Sequence, residues 1–118
     1  MKPEWKALLA EIIEFRDARD WKQFHTHKNL SAAIAIEAAE LQEHFLWKTD
    51  DEVLVALRDP EKHKKVIEEL ADIIIFTLLL AERLDVDIDA VVRGKIKKNA
   101  DKYPVEKSKG TAKKYTEL

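Results

Sequence analysis

The chain has 118 residues, with 21 basic against 23 acidic side chains, a formal charge of −2, and a composition 46% hydrophobic and 37% charged with only 2 glycines and 3 prolines. That balance fits one domain built from long amphipathic helices far better than a turn-rich β-sandwich or a disordered segment. The absence of cysteine removes a disulfide scaffold, a thiolate zinc site and a cysteine nucleophile, leaving carboxylates, histidines, amides and lysines to carry any chemistry.

In chain order, Trp5, Leu8, Leu9, Ile12, Ile13 and Arg16 recur at helical spacing, which predicts a first helix from about Pro3 to Ala18. The stretch Asp20 to Lys28 breaks this period while holding Trp21, Phe24, His25 and His27, and so reads as an ordered loop with something to cover. Asn29 is the expected cap of a second helix, Leu30 to about Trp47. One stripe of that helix is apolar (Leu30, Ile34, Ala38, Leu41, Phe45) and the next is mixed (Ala33, Ile36, Glu37, Glu40, His44, Trp47). Asp50 and Asp51 can cap a short helix, Glu52 to Leu57, and Asp59-Pro60 opens a long one to about Leu84. Asp87 caps the last, Ile88 to about Tyr103, which Pro104 stops.

The expected architecture is all-α, a four-helix core with a short extra helix. Residues 1–104 form the helical domain and 105–118 a mobile basic tail. The N-terminal MKPEWKALLA lacks the apolar core of a signal peptide, and the longest apolar run, Ile73 to Ala81, is too short to span a membrane. A soluble, cytoplasmic protein is expected. Residues 93–118 carry 9 basic against 3 acidic groups, and the remainder 12 against 20. An acidic body with a basic end suits cations held in the body with an anionic ligand between the two, or nucleic acid bound through the end; a solvated helix end is the plain alternative.

The most informative anomaly lies in VIEELADIIIFTLLLA, where Glu69 and Asp72 sit among apolar neighbours. A carboxylate buried there needs pairing, hydrogen bonds or a metal. The second helix repeats the arrangement with Glu37 and Glu40, three apart on one face. If the two helices pack antiparallel, four carboxylates converge, and a hard divalent cation such as Mg²⁺ neutralises them; pairing with Lys or Arg across the bundle is the structural alternative. A di-iron centre is disfavoured, because no histidine follows a glutamate by three residues. On the last helix Lys95, Asn99 and Lys102 fall on one line, suited to the outer oxygens of a phosphate chain or to plain solvation. Trp21, Phe24 and His25 in the loop, with Trp47, suggest a stacked ring, although core or interface roles explain them as well.

The ordered set RDWKQFH (Arg19 to His25), KNL (Lys28 to Leu30), Glu37-x-x-Glu40, FLWK (Phe45 to Lys48), EELAD (Glu68 to Asp72), Lys95, Asn99, Tyr103-Pro104 and KYTEL (Lys114 to Leu118) resembles the MazG-like all-α nucleoside triphosphate pyrophosphohydrolases, nearest the dCTP pyrophosphatase branch. The resemblance spans residues 5–118. It implies hydrolysis between the α and β phosphates, giving a nucleoside monophosphate and pyrophosphate. It further implies Glu37, Glu40, Glu69 and Asp72 as the catalytic Mg²⁺ ligands, with Lys95 and Asn99 on phosphates or metal-bound water and Trp21, His25 and Trp47 in the base pocket. One glutamate would take the proton of the attacking water. His27 stands where many relatives have proline, and Phe76 where many have tyrosine, which keeps an aromatic wall without its hydroxyl. Relatives assemble as dimers or tetramers, so a homo-oligomer, a tetramer built from dimers, is expected. The competing reading is a non-enzymatic helical oligomer that binds nucleic acid or a partner through its basic tail, which would not need the acid set.

Overall fold

Helix boundaries follow from where side chains can satisfy the free N–H groups of a first turn. In the computed structural model, which describes residues 2–118, α1 (Pro3–Ala18) starts with proline in its first turn. The second helix, α2, spans His27–Glu43, and its cap is Thr26 rather than Asn29: the Thr26 hydroxyl accepts from Asn29 N at 3.1 Å. The Asn29 side chain instead donates to Phe24 O at 2.8 Å, closing the aromatic loop against the helix. α2 also ends four residues short of Trp47. His44 and Phe45 turn back onto Leu41 O and Gln42 O, and Trp47 adopts φ 65°, a left-handed conformation rare for a bulky residue.

Thr49 takes the capping role expected of Asp50 and Asp51, accepting from Glu52 N at 3.2 Å, while the acids fill the first turn of α3 (Asp50–Ala56) and complement its dipole. Asp59 and Pro60 open α4 (Pro60–Arg83), as the sequence predicts, and Asp87 caps α5 (Ile88–Lys102). The segment expected to be a mobile tail is folded. It contains α6 (Val105–Ser108), a left-handed Gly110 at φ 78° and a final turn at Tyr115–Glu117. Ser108 Oγ donates to Pro104 O at 2.7 Å, and the Tyr103 and Tyr115 rings meet edge to face at 6.0 Å.

All regular structure among the described residues is helical, with four long helices and a short α3 between the second and third of them. Packing is concentrated where α2 lies along α4, with α1 across the C-terminal half of α4. Ile12, Leu30, Leu78 and Leu79 form the core, and Leu9, Ile75, Phe76, Leu80 and Ile88 pack against it. The run around Asp72, expected to be buried nearly all round, is fully buried only at Leu78, Leu79 and Ala81; Ile67, Leu70 and Ile74 on its other flank are exposed, with no element among the described residues covering them. Beyond Ile88, α5 stands away with Val91, Val92 and Ile96 exposed. The Cα radius of gyration, 17.8 Å, far exceeds the ~13 Å typical of a compact chain of about this length. No helix of the described residues is long and apolar enough to cross a membrane.

Candidate active site

Ala33, Glu37, Glu40 and His44 of the mixed stripe are partly buried, whereas Ile36 and Trp47 are exposed. Glu37, Glu40 and Glu69 are each partly buried, and one carboxylate oxygen of each lies within 4.8 Å of the others. Burial first, then hydrogen bonding with Glu69 and Glu40 and the charges of Glu40 and Asp72, push the Glu37 carboxyl up to about 7. A proton shared among these acids is the cluster's own way of limiting its repulsion. Glu37 Oε2 is nevertheless buried with no hydrogen-bond partner. An unsatisfied acceptor inside an all-oxygen donor set fits a hard divalent cation, so the side chains present suit such an ion. His44, one turn beyond Glu40, brings Nε2 to 3.8 Å from Glu69 Oε1 at the edge of the cluster.

Asp72, one turn along α4 from Glu69, is partly exposed rather than enclosed. It lines an open cavity of about 360 Å³ between α1 and α4, whose other walls are Glu11, Ile12, Phe15, Arg16, Ile75, Phe76 and Leu79. Asp72 therefore joins the acid cluster to an apolar chamber. Two of its walls are rings, Phe15 and Phe76, and they are joined through two further rings: Phe15 to Trp21 at 5.8 Å, Trp21 to His25 at 6.3 Å, and His25 to Phe76 at 6.3 Å. Burial, together with the Arg16 and Arg83 charges, lowers the His25 pKa and favours the neutral ring, whose buried Nδ1 has no partner. Of the aromatic positions singled out in the sequence, Phe76 lines the cavity, and Trp21 and His25 connect it ring to ring with Phe15.

The other singled-out positions do not join them within the chain. Trp47 is 92% exposed. Lys95, Asn99 and Lys102 lie on the exposed α5, with no ion pair or side-chain hydrogen bond to the acids among the described residues. Lys102 Nζ instead sits 4.8 Å from the centre of the Tyr115 ring. Sequence reasoning missed Glu11, Phe15, Arg16 and His44. The signal for Arg16 was present, since it is the one charged member of the α1 apolar stripe.

An all-α chain with two E-x-x-[ED] pairs facing each other across two helices defines a class of carboxylate-rich helical proteins. The family model of the MazG-like family matches residues 32–118, and the chain belongs to that family. It is 40% identical to dCTP pyrophosphatase 1 of Homo sapiens and 43% identical to that of Bos taurus, in each case over 105 residues, 89% of this chain. It spans 62% of the length of these curated relatives. A pyrophosphatase from Archaeoglobus fulgidus is similar in structure, with a TM-score of 0.80 and 38% identity over 88% of this chain and 95% of that one.

Proposed function

We propose that the chain is a nucleoside triphosphate pyrophosphohydrolase that cleaves the α–β phosphate bond of dCTP or a modified deoxycytidine triphosphate. The observation that carries this reading is the adjacency of the Glu37/Glu40/Glu69 cluster to a ring-lined cavity through Asp72. The base would lie in the cavity and the phosphate chain would run past Asp72 toward the acids. Glu37, Glu40, Glu69 and Asp72 would hold Mg²⁺, which when bound polarises the phosphate and lowers the pKa of a bound water. One glutamate of the set takes the proton of the attacking water, the ring chain excludes solvent from the base, and the nucleoside monophosphate and pyrophosphate leave.

The fully exposed Trp47 and the bare α5 face support a homo-oligomer, a tetramer built from dimers, in which a neighbouring copy brings Trp47, Lys95 and Asn99 to the cavity. Incubation with each deoxynucleoside triphosphate and Mg²⁺, with pyrophosphate and orthophosphate measured separately, tests the reading. Pyrophosphate release that is greatest from dCTP is expected. Orthophosphate as the product, or no turnover on any nucleotide, overturns it.

A further inference from the structure

Arg16 is the one charged residue that is fully buried among the described residues, with its side chain 4% exposed, and it forms part of the wall of the α1/α4 cavity. A guanidinium offers five N–H donors in a rigid planar fork. Nε donates to Asp17 Oδ1 at 2.9 Å and Nη1 to Glu82 Oε2 at 3.2 Å, which fixes the plane from two sides. Burial works against the charge, but these two bonds and the nearby carboxylate charges outweigh it, and the group stays ionised. Nη2 has no hydrogen-bond partner among the described residues, and it is not one of the partnerless atoms sealed from solvent, which belong to His25, Glu37 and Arg83. It is the one nitrogen of this guanidinium left without a partner, on a side chain that lines the cavity. Five of the other lining residues are apolar, and the remaining two, Glu11 and Asp72, are acids and therefore acceptors when ionised.

An occupant of this cavity must present acceptors to Arg16 and a donor to an acid. We propose that Arg16 reads the base, its unpaired Nη2 donating to N3 and O2 of a cytosine ring while Glu11 accepts from the amine on C4. Uracil and thymine are rejected because their N3 carries a hydrogen that meets another donor. A donor–donor mismatch leaves both groups unsatisfied against a largely apolar lining, and lost pairing of that kind discriminates strongly between bases. The assignment rests on the reading that the cavity takes the base of a nucleotide.

The test is calorimetric binding of dCMP and dUMP to the full assembled chain, alongside kcat and KM for dCTP and dUTP. The unmodified chain should bind dCMP at least about tenfold more tightly than dUMP. Arg16→Met should erase that ratio, mainly through affinity and KM rather than kcat, and Arg16→Lys, which keeps the charge but not the fork, should fall between. Should the Met variant fail to fold, the unmodified chain decides the matter with 3-deaza-dCMP, in which C–H replaces N3; it should bind at least about tenfold more weakly than dCMP. An unaltered dCMP-to-dUMP ratio in a folded Met or Lys variant, or equal binding of the deaza analogue, overturns the assignment. Monophosphate binding is read without turnover. Discrimination through Arg16 with no pyrophosphate released from dCTP would overturn the proposed reaction alone, and dCTP turnover with an unaltered ratio would overturn the Arg16 assignment alone.

Discussion

The α2/α4 pair and the α5 arm are both amphipathic helical segments of one chain, yet they stand in opposite conditions. Along α2 and α4 the charged side chains are drawn together, to the point that Glu37 holds its proton up to about 7 and one of its oxygens is buried without a partner. On α5 the charged side chains are solvated, Arg93 is satisfied locally by Asp89 at 3.2 Å, and Val91, Val92 and Ile96 face outward. The contrast teaches that three carboxylates are gathered within one chain, whereas Trp47 and the cationic line of α5 stand apart from them. Under the proposed function, a second copy would cover the apolar face that α5 leaves open.

The largest effect should come from breaking the acidic half. Asp72→Asn and Glu40→Gln are each expected to lower kcat for dCTP by more than about a hundredfold, since loss of a mere supporting group around a metal already costs ~10- to 100-fold. Circular dichroism should show the helices retained. Activity within a few-fold of the unmodified chain would detach the cluster from the chemistry.

Next in size is the part that the proposed function assigns to a neighbouring copy. Trp47→Ala removes an indole that is 92% exposed, so the melting temperature should hardly move. Loss of a stacked ring should nevertheless raise KM by about tenfold. Val92→Asp with Ile96→Asp should break the assembly. Light scattering should then find a 13.7 kDa species, and kcat/KM should fall with it. A fully active species of that mass would show that one copy suffices.

A smaller effect is expected on stability. The Glu37 carboxyl sits at about 7 in the folded chain against an ordinary 4.5, so the folded state binds the proton more tightly than the unfolded one. Its contribution to stability is therefore full below about pH 4.5 and is lost as pH rises to about 7. Without divalent cations, the melting temperature of the unmodified chain should fall by a few degrees more across this interval than that of Glu37→Gln. Mg²⁺ at about 100 times its dissociation constant should add ~2.7 kcal/mol at neutral pH, and less in the Gln variant. Parallel pH profiles for the two proteins would remove Glu37 from the cluster's charge balance.

Much of this arrangement was legible in the residues. Asp59-Pro60 and Asp87 mark helix starts by local chemistry alone, and the spacing of Glu37-x-x-Glu40 and Glu69-x-x-Asp72 places each pair on one face whatever the tertiary context. Competition between neighbouring caps was not legible: Thr26 and Asn29 both suit the role, and only the loop's need to close on Phe24 O decides between them. Burial was misjudged along α4 for a related reason. Ile67, Leu70 and Ile74 read as core by hydrophobicity, but their exposure depends on what a single chain can bring to that flank. Arg16 reads only as one more member of the α1 stripe, because its role comes from Asp17 and from Glu82, the latter sixty-six residues away.

The smallest predicted effect separates the α5 arm from the segment folded against it. Lys102 sits 4.8 Å over the Tyr115 ring, and Tyr115 meets Tyr103 edge to face at 6.0 Å, so the last turn of the chain holds this lysine at the end of α5. An exposed cation–π contact is worth ~0.5–1 kcal/mol. If Lys102 binds the outer phosphates, Tyr115→Ala frees it to wander and should raise KM for dCTP by about two- to fivefold with kcat preserved. Affinity for dCMP should be unchanged, because the monophosphate has no outer phosphates for Lys102 to reach. Equal weakening of dCMP and dCTP would mean that Tyr115 acts on the base end or on the fold. No change in either would leave the cation–π contact a surface feature without a part in binding.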